Sequence, residues 1–198
     1  MRVDRAAMAV STAFSAPVSS TLTSILLLQM LPHPPPDAFL DIWAGLLLLG
    51  VVPISMVFLA SRLCGFDINV PNRNVRLHLL PFAVICQILA VFIFARSGIQ
   101  DMVTFSTLCL AVTVAVSLLS LRLKVSIHAA ALAGSITAVV ELFGVFAVPL
   151  YLLLIPVFWS RRRLGVHGIR ELLAGTFVGI GFGLLVYHPS ILQFGGLL

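Results

Sequence analysis

The chain has 198 residues, of which 60% are apolar and only 10% charged, whereas a soluble domain carries about a quarter charged residues. No water-exposed surface can be assembled from that composition, so the sequence reads as an integral membrane protein. Its 12 Lys and Arg against 7 Asp and Glu are spread over connecting segments and form no continuous basic face, which excludes a nucleic-acid-binding domain.

A transmembrane helix needs about 20 mostly apolar residues, and here charge and proline cluster between the apolar runs. The first run covers Met8 to Leu31. It continues past the length of a signal-peptide core and reaches Pro32 without a small-residue cleavage pattern, so it is expected to be a retained first span. The stiff connection His33-Pro34-Pro35-Pro36-Asp37 cannot continue a helix. A second span is expected from Ala38 to Ala60. Ser61 to Leu77, with Arg62, Asp67, Arg73 and Arg76, is the longest loop and too polar for lipid.

The third and fourth spans, Leu79 to Ala95 and Met102 to Leu121, form a hairpin through Arg96 to Asp101. The apolar stretch from Ser126 to Trp159 is about 50 Å long as a helix, well beyond a hydrocarbon core of about 30 Å. It is expected to fold back near Gly144, with Pro149 as the other available breaker, into two short spans. The last span runs from Gly168 to Tyr187. Its Gly175, Gly179 and Gly183 recur every four residues and give one helical face a groove that another backbone can approach. The expected fold class is therefore all-α: a polytopic transmembrane helical bundle of about six or seven spans, forming one domain over residues 1–198.

With seven spans, the N-terminus and the segments around Arg73, Lys124 and Arg161 share one side, and of the 12 Lys and Arg only Arg96 lies opposite. That side is expected to be cytoplasmic. Cys64, Cys86 and Cys109 are far apart, with no Cys-x-x-Cys pair and no histidine at ligand spacing, so they read as small apolar filler.

Three polar clusters fall on that same face, each at a membrane boundary: Arg73 and Arg76, then Lys124 to His128, then Ser160 to Glu171. Two spans separate each from the next, and an even number of crossings returns the chain to the same leaflet, so the three are expected to converge. In the third cluster, His167 and Glu171 are four apart at a helix start and share a face. The carboxylate there accepts the Nδ1 proton and leaves Nε2 to act as nucleophile or base. The donor fork of Arg161 suits phosphate oxygens, and the N-terminus of the last helix favours an anion.

These residues resemble the type 2 phosphatidic acid phosphatase superfamily. Its third motif is Ser-Arg, five residues, His, three residues, Asp, and the chain has Ser160-Arg161, then His167, then Glu171, a longer carboxylate. The second motif, Pro-Ser-Gly-His, is matched in part by Val125-Ser126-Ile127-His128. The first, Lys, six residues, Arg-Pro, is matched by Arg73, six residues, Leu80-Pro81. The resemblance is stronger to divergent bacterial members, whose first motif contains Arg-x-x-Arg and whose second reads Lys-x-Ser-x-His.

The resemblance implies a phosphatase-like core over residues 61–188, preceded by two N-terminal spans in 1–60, and a multi-pass protein of a bacterial inner membrane. It implies a phosphomonoesterase that needs no metal or other cofactor and acts on a lipid phosphate or diphosphate. His167 would attack phosphorus, Glu171 would orient it, and His128 would protonate the leaving group. Arg73, Arg76, Lys124, Ser126 and Arg161 would hold the phosphate oxygens. Two departures stand out, Leu80 in place of a cation and Ile127 in place of glycine. They keep open an alternative: a non-catalytic membrane protein of the same fold that binds anionic headgroups or serves as a scaffold or transporter subunit.

Arg162 and Arg163 read as a topology anchor, Arg170 as a headgroup contact, and His33, His78 and His188 as interfacial or loop residues. Glu141 is an ionisable group inside an apolar run, by default a functional-site hypothesis.

Overall fold

The computed structural model describes residues 4–30, 35–65 and 73–187, without the side chains of 36 and 73–78. Among the described residues the architecture is all-helical, with no strand. The helices are α1 (Arg5–Ala13), α2 (Ala16–Met30), α3 (Phe39–Leu46), α4 (Val52–Cys64), α5 (Arg73–Arg96), α6 (Gln100–Leu119), α7 (Ile127–Phe143), α8 (Leu154–Arg163) and α9 (Ile169–Tyr187). Five helical runs are long and apolar enough to cross a membrane, or six if the bent pair α1–α2 counts as one. These are the dimensions and composition of a multi-pass membrane protein, and large apolar side chains such as Phe92, Phe146 and Phe177 face outward as lipid requires.

The first expected span is not one straight helix. α1 and α2 meet at an angle of 45°. Pro17, in the first turn of α2, has no N–H to offer the last turn of α1. α1 is capped by Asp4, whose carboxylate accepts the Ala7 N–H at 3.2 Å and the Arg163 Nε–H at 2.9 Å, tying α1 to the end of α8.

A second proline shapes the next span. Pro53 cannot donate to the Leu49 carbonyl, and the turn Leu47–Val51 widens into π geometry, with the Val52 N–H reaching back to Leu47. The Leu49 carbonyl instead accepts the Ser20 hydroxyl at 3.1 Å, which binds α2 to this turn. Gly50 is needed at the same contact, because a Cβ there would overlap the Thr21 hydroxyl.

α5 begins at Arg73, earlier than the apolar run that starts at Leu79. Arg73, Arg76 and His78 thus stand on the first turns of a helix that extends beyond its apolar part, and not in a loop. At its far end Arg96 donates to both carboxylate oxygens of Asp41, at 2.9 and 3.2 Å, and Ser97 donates to the same group. That staple joins α3 to the α5–α6 turn.

The fold-back at Gly144 is present. The run from Ile127 to Arg163 stays helical, with a 3₁₀ stretch over Gly144–Leu153, yet it is not a single rod. Gly144 sits at φ 76° and ψ −164°, which only glycine adopts at low cost. Beyond it the chain returns along α7. Thr137 and Tyr151 share a hydrogen bond of 2.7 Å, and Val157 packs on Leu132 and Ile136, contacts that a straight helix of this length forbids.

The glycine groove on α9 holds α7. A Cβ on Gly175 would overlap the Ser126 carbonyl, and one on Gly179 would overlap the Ala130 carbonyl and stand 2.7 Å from the Gly134 nitrogen. The helix backbones therefore touch. This crossing is what sets the first turn of α7 beside the first turn of α9.

Candidate active site

Two of the three polar clusters can be followed to their side chains, and both reach one cavity. His128 stands one residue inside α7. Ser126, just before it, caps α7 by accepting the Ala129 N–H at 3.5 Å, and its own N–H donates to the Glu171 carbonyl at 3.2 Å. The start of α7 is thus fastened to the start of α9.

Arg161 lies in the last turn of α8 and is buried. Its carbonyl accepts the N–H groups of Val166 and His167, at 3.2 and 3.4 Å, across a turn in which Gly165 has φ 67°. That turn folds His167 back toward Arg161. The His167 ring is buried, and its Nδ1 lies 2.8 Å from Glu171 Oε2. A carboxylate only accepts, so Nδ1 carries the proton. The same carboxylate oxygen accepts the Gly168 N–H at 3.2 Å, which fixes Glu171 at the mouth of α9.

His128, Arg161 and His167 all line one cavity of about 220 Å³. Leu80 and Ile127, where the family motifs carry a cation and a glycine, line it as well. From this charged end the cavity extends into the bundle, to Gln87 on α5 and to Phe105, Leu108 and Val112 on α6.

The remaining expected residues stand elsewhere. Ser126 is buried in its capping role and Lys124 is exposed; neither is part of the cavity wall. Glu171 contacts His167 and is not part of the cavity wall. The side chains of Arg73 and Arg76 lie outside the described residues, as do His33 and His188 and the side chain of His78. Arg162 and Arg170 are exposed. Glu141, expected inside a span, occupies the last turn of α7, three residues before Gly144 and at the end of the bundle away from the histidines. Among the described residues no three His, Cys, Asp or Glu side chains are grouped as a metal site would need.

The sequence reading missed Ser11. The Arg161 Nη1 donates to its hydroxyl at 2.8 Å, and Ser11, Thr12 and Ser15 of the N-terminal helices form part of the cavity wall. Parts of α2, the π turn and α4, at Ser20, Leu49 and Pro53, line the cavity as well. Nothing in local spacing signals a contact across this much sequence; three hydroxyls within five residues of an apolar run were the available hint.

No family model matches the chain, and no curated protein or solved structure is significantly similar to it.

Proposed function

We propose that the protein is a membrane-embedded phosphatase of the phosphatidic acid phosphatase type, hydrolysing a lipid phosphate or diphosphate through a phosphohistidine. The observation that carries this reading is the common cavity wall of His128, Arg161 and His167, with the His167 tautomer fixed by Glu171.

In the first step the Nε2 lone pair of His167 forms a bond to phosphorus, and the bond to the leaving oxygen breaks. Its electron pair stays on that oxygen, which takes a proton from His128. Glu171 balances the positive charge that develops on the His167 ring. In the second step His128, now neutral, takes a proton from water as the water oxygen attacks phosphorus. The N–P bond breaks, returning the pair to Nε2, and inorganic phosphate leaves. Arg161 stabilises the equatorial oxygens with its planar fork of donors, as phosphoryl transfer requires. In this proposal Arg73, Arg76 and Lys124 supply further positive charge to the phosphate at the membrane boundary, and no metal takes part. The charge bias supports a site on the cytoplasmic side of a cell membrane, and cysteine labelling of residues 66–72, between α4 and α5, in intact cells tests that orientation.

The test of function is phosphate release from a panel of lipid phosphates in the presence of chelator. Release that His167→Ala abolishes is the expected result; release that survives this change overturns the nucleophile assignment. A second reading, anionic headgroup binding without turnover, draws on the positions of Lys124 and Ser126 away from the cavity wall and on the apolar Leu80 and Ile127 within it. Vanadate separates the two. A phosphatase links it axially to the His167 imidazole, which headgroup binding alone does not require.

A further inference from the structure

The cavity is much longer than a phosphate needs. On α6 the wall runs from Thr113 to Phe105, about 12 Å of helix, and Phe105 is fully buried. The cavity wall reaches Phe105 by way of Val112 and Leu108, both buried on the same helix. The wall also takes in Leu80 from α5, Ile127 from α7, and Leu49 and Pro53 from the π turn and α4. The guanidinium and imidazoles thus share one cavity with a mostly hydrocarbon lining.

Volume limits what enters. A cavity of about 150 Å³ accepts one benzene, six carbons, so about 220 Å³ corresponds to roughly nine non-hydrogen atoms, and with about five of them in the phosphate group at the charged end roughly four chain carbons remain. That suffices for one aliphatic chain and not for two side by side.

We propose that this space is a slot for a single hydrocarbon chain of the phosphorylated lipid, with Phe105 and Leu108 as the residues that set the chain length. The inference rests on the site being a phosphate pocket, and it adds which lipids fit: one chain enters the bundle to a depth of about four carbons, and any second chain stays outside in the bilayer. Gln87 stands partway down. One end of its amide bonds to Thr113 at 3.0 Å, and the Oε1 at the other end is buried with no hydrogen-bond partner among the described residues. The slot therefore also tolerates one hydroxyl or amide group along the chain at that depth.

The test uses unbranched alkyl phosphates short enough to dissolve as monomers, together with longer ones in micelles. For the dissolved chains, kcat/KM is expected to rise about fourfold per methylene, the value of one buried CH₂, and to stop rising at about four carbons. Leu108→Trp is expected to move that limit to shorter chains and Phe105→Ala to longer ones. Thermal unfolding of both variants in detergent shows whether the fold is intact. A length profile identical in the wild type and in both active variants overturns the slot.

A measurement on the unaltered protein covers the case in which those variants fail to fold. An alkyl phosphonate of about four carbons bearing a terminal photoreactive diazirine is expected to label α6 between Phe105 and Thr113. Labelling confined to lipid-facing side chains such as Phe92 or Phe177 overturns the proposal. Phosphonates are not hydrolysed, so a protein that shows the length cut-off in binding but releases no phosphate keeps the slot and loses the phosphatase reading.

Discussion

Glu171→Gln is the most informative single change. Glu171 Oε2 accepts both the His167 Nδ1 proton, at 2.8 Å, and the Gly168 N–H, at 3.2 Å. The amide keeps an acceptor at this point, so the ring stays oriented. What disappears is the negative charge that stabilises the imidazole once Nε2 has bonded to phosphorus. A hydrogen bond to a charged group is worth about 1.5–3 kcal/mol. The Glu171 side chain is 28% exposed, and solvent screening places the effect in the lower part of that range, about 1.5–2 kcal/mol. At about 1.4 kcal/mol per factor of ten, kcat should fall about 10- to 30-fold. KM should change little, because the charge develops only after substrate is bound. The assay is phosphate release from a lipid phosphate in detergent micelles containing chelator. Glu171→Asp, which keeps the charge on a shorter arm, should retain more activity than Glu171→Gln. If the glutamine variant turns over within twofold of the parent rate, the carboxylate has no part in the chemistry and the account of the pair is wrong.

Three further outcomes follow from the geometry. Gly179→Leu should destabilise the fold by about 1–3 kcal/mol, because even its Cβ overlaps the Ala130 carbonyl, whereas Gly181→Ala, which meets nothing within 4 Å, should stay within about 0.5 kcal/mol; thermal unfolding in detergent reads both. Ser11→Ala removes the hydroxyl that receives the Arg161 Nη1 proton and, at about 0.5–1.5 kcal/mol for one hydrogen bond, should weaken phosphate binding about two- to tenfold, measured by inhibition with inorganic phosphate. Asp4, held below its ordinary value of 3.8 by the hydrogen bond from Arg163 and by the Ala7 N–H, contributes its tether above pH 3.8 and loses it as pH falls through the lower folded value. The Tm difference between Asp4→Asn and the parent should therefore be present at neutral pH and vanish in stronger acid; a difference that persists unchanged there contradicts the tether.

What could be read from the sequence had a local cause. The His167 and Glu171 pairing follows from the geometry of one helical turn, and the observed 2.8 Å contact agrees with it. The fold-back at Gly144 followed from a run too long for a bilayer, and the α7–α9 contact from glycines spaced one turn apart. What escaped had causes elsewhere in the chain. Pro17 bends the first span, and Pro53 opens a π turn whose freed carbonyl is taken by Ser20, but hydropathy is blind to both because proline sits there among apolar neighbours. The helix begins at Arg73 because the end of a span can project beyond lipid, where polarity no longer marks a loop. Ser11 lies 150 residues from Arg161, and no periodicity connects them. Ser126 carried a motif resemblance and is engaged as the cap of α7, since a serine before a helix start satisfies an N–H of the first turn.

The central claim is that His167 carries phosphorus during turnover, with His128 on the wall of the same cavity. Rapid quenching of the protein with radiolabelled lipid phosphate, followed by digestion, tests it most directly. The account predicts an acid-labile, base-stable label on the peptide containing His167, more of it in His128→Ala, where water is no longer activated, and none in His167→Ala. Label that persists in His167→Ala, or phosphate release from the wild type with no phosphohistidine formed at any time, would contradict it.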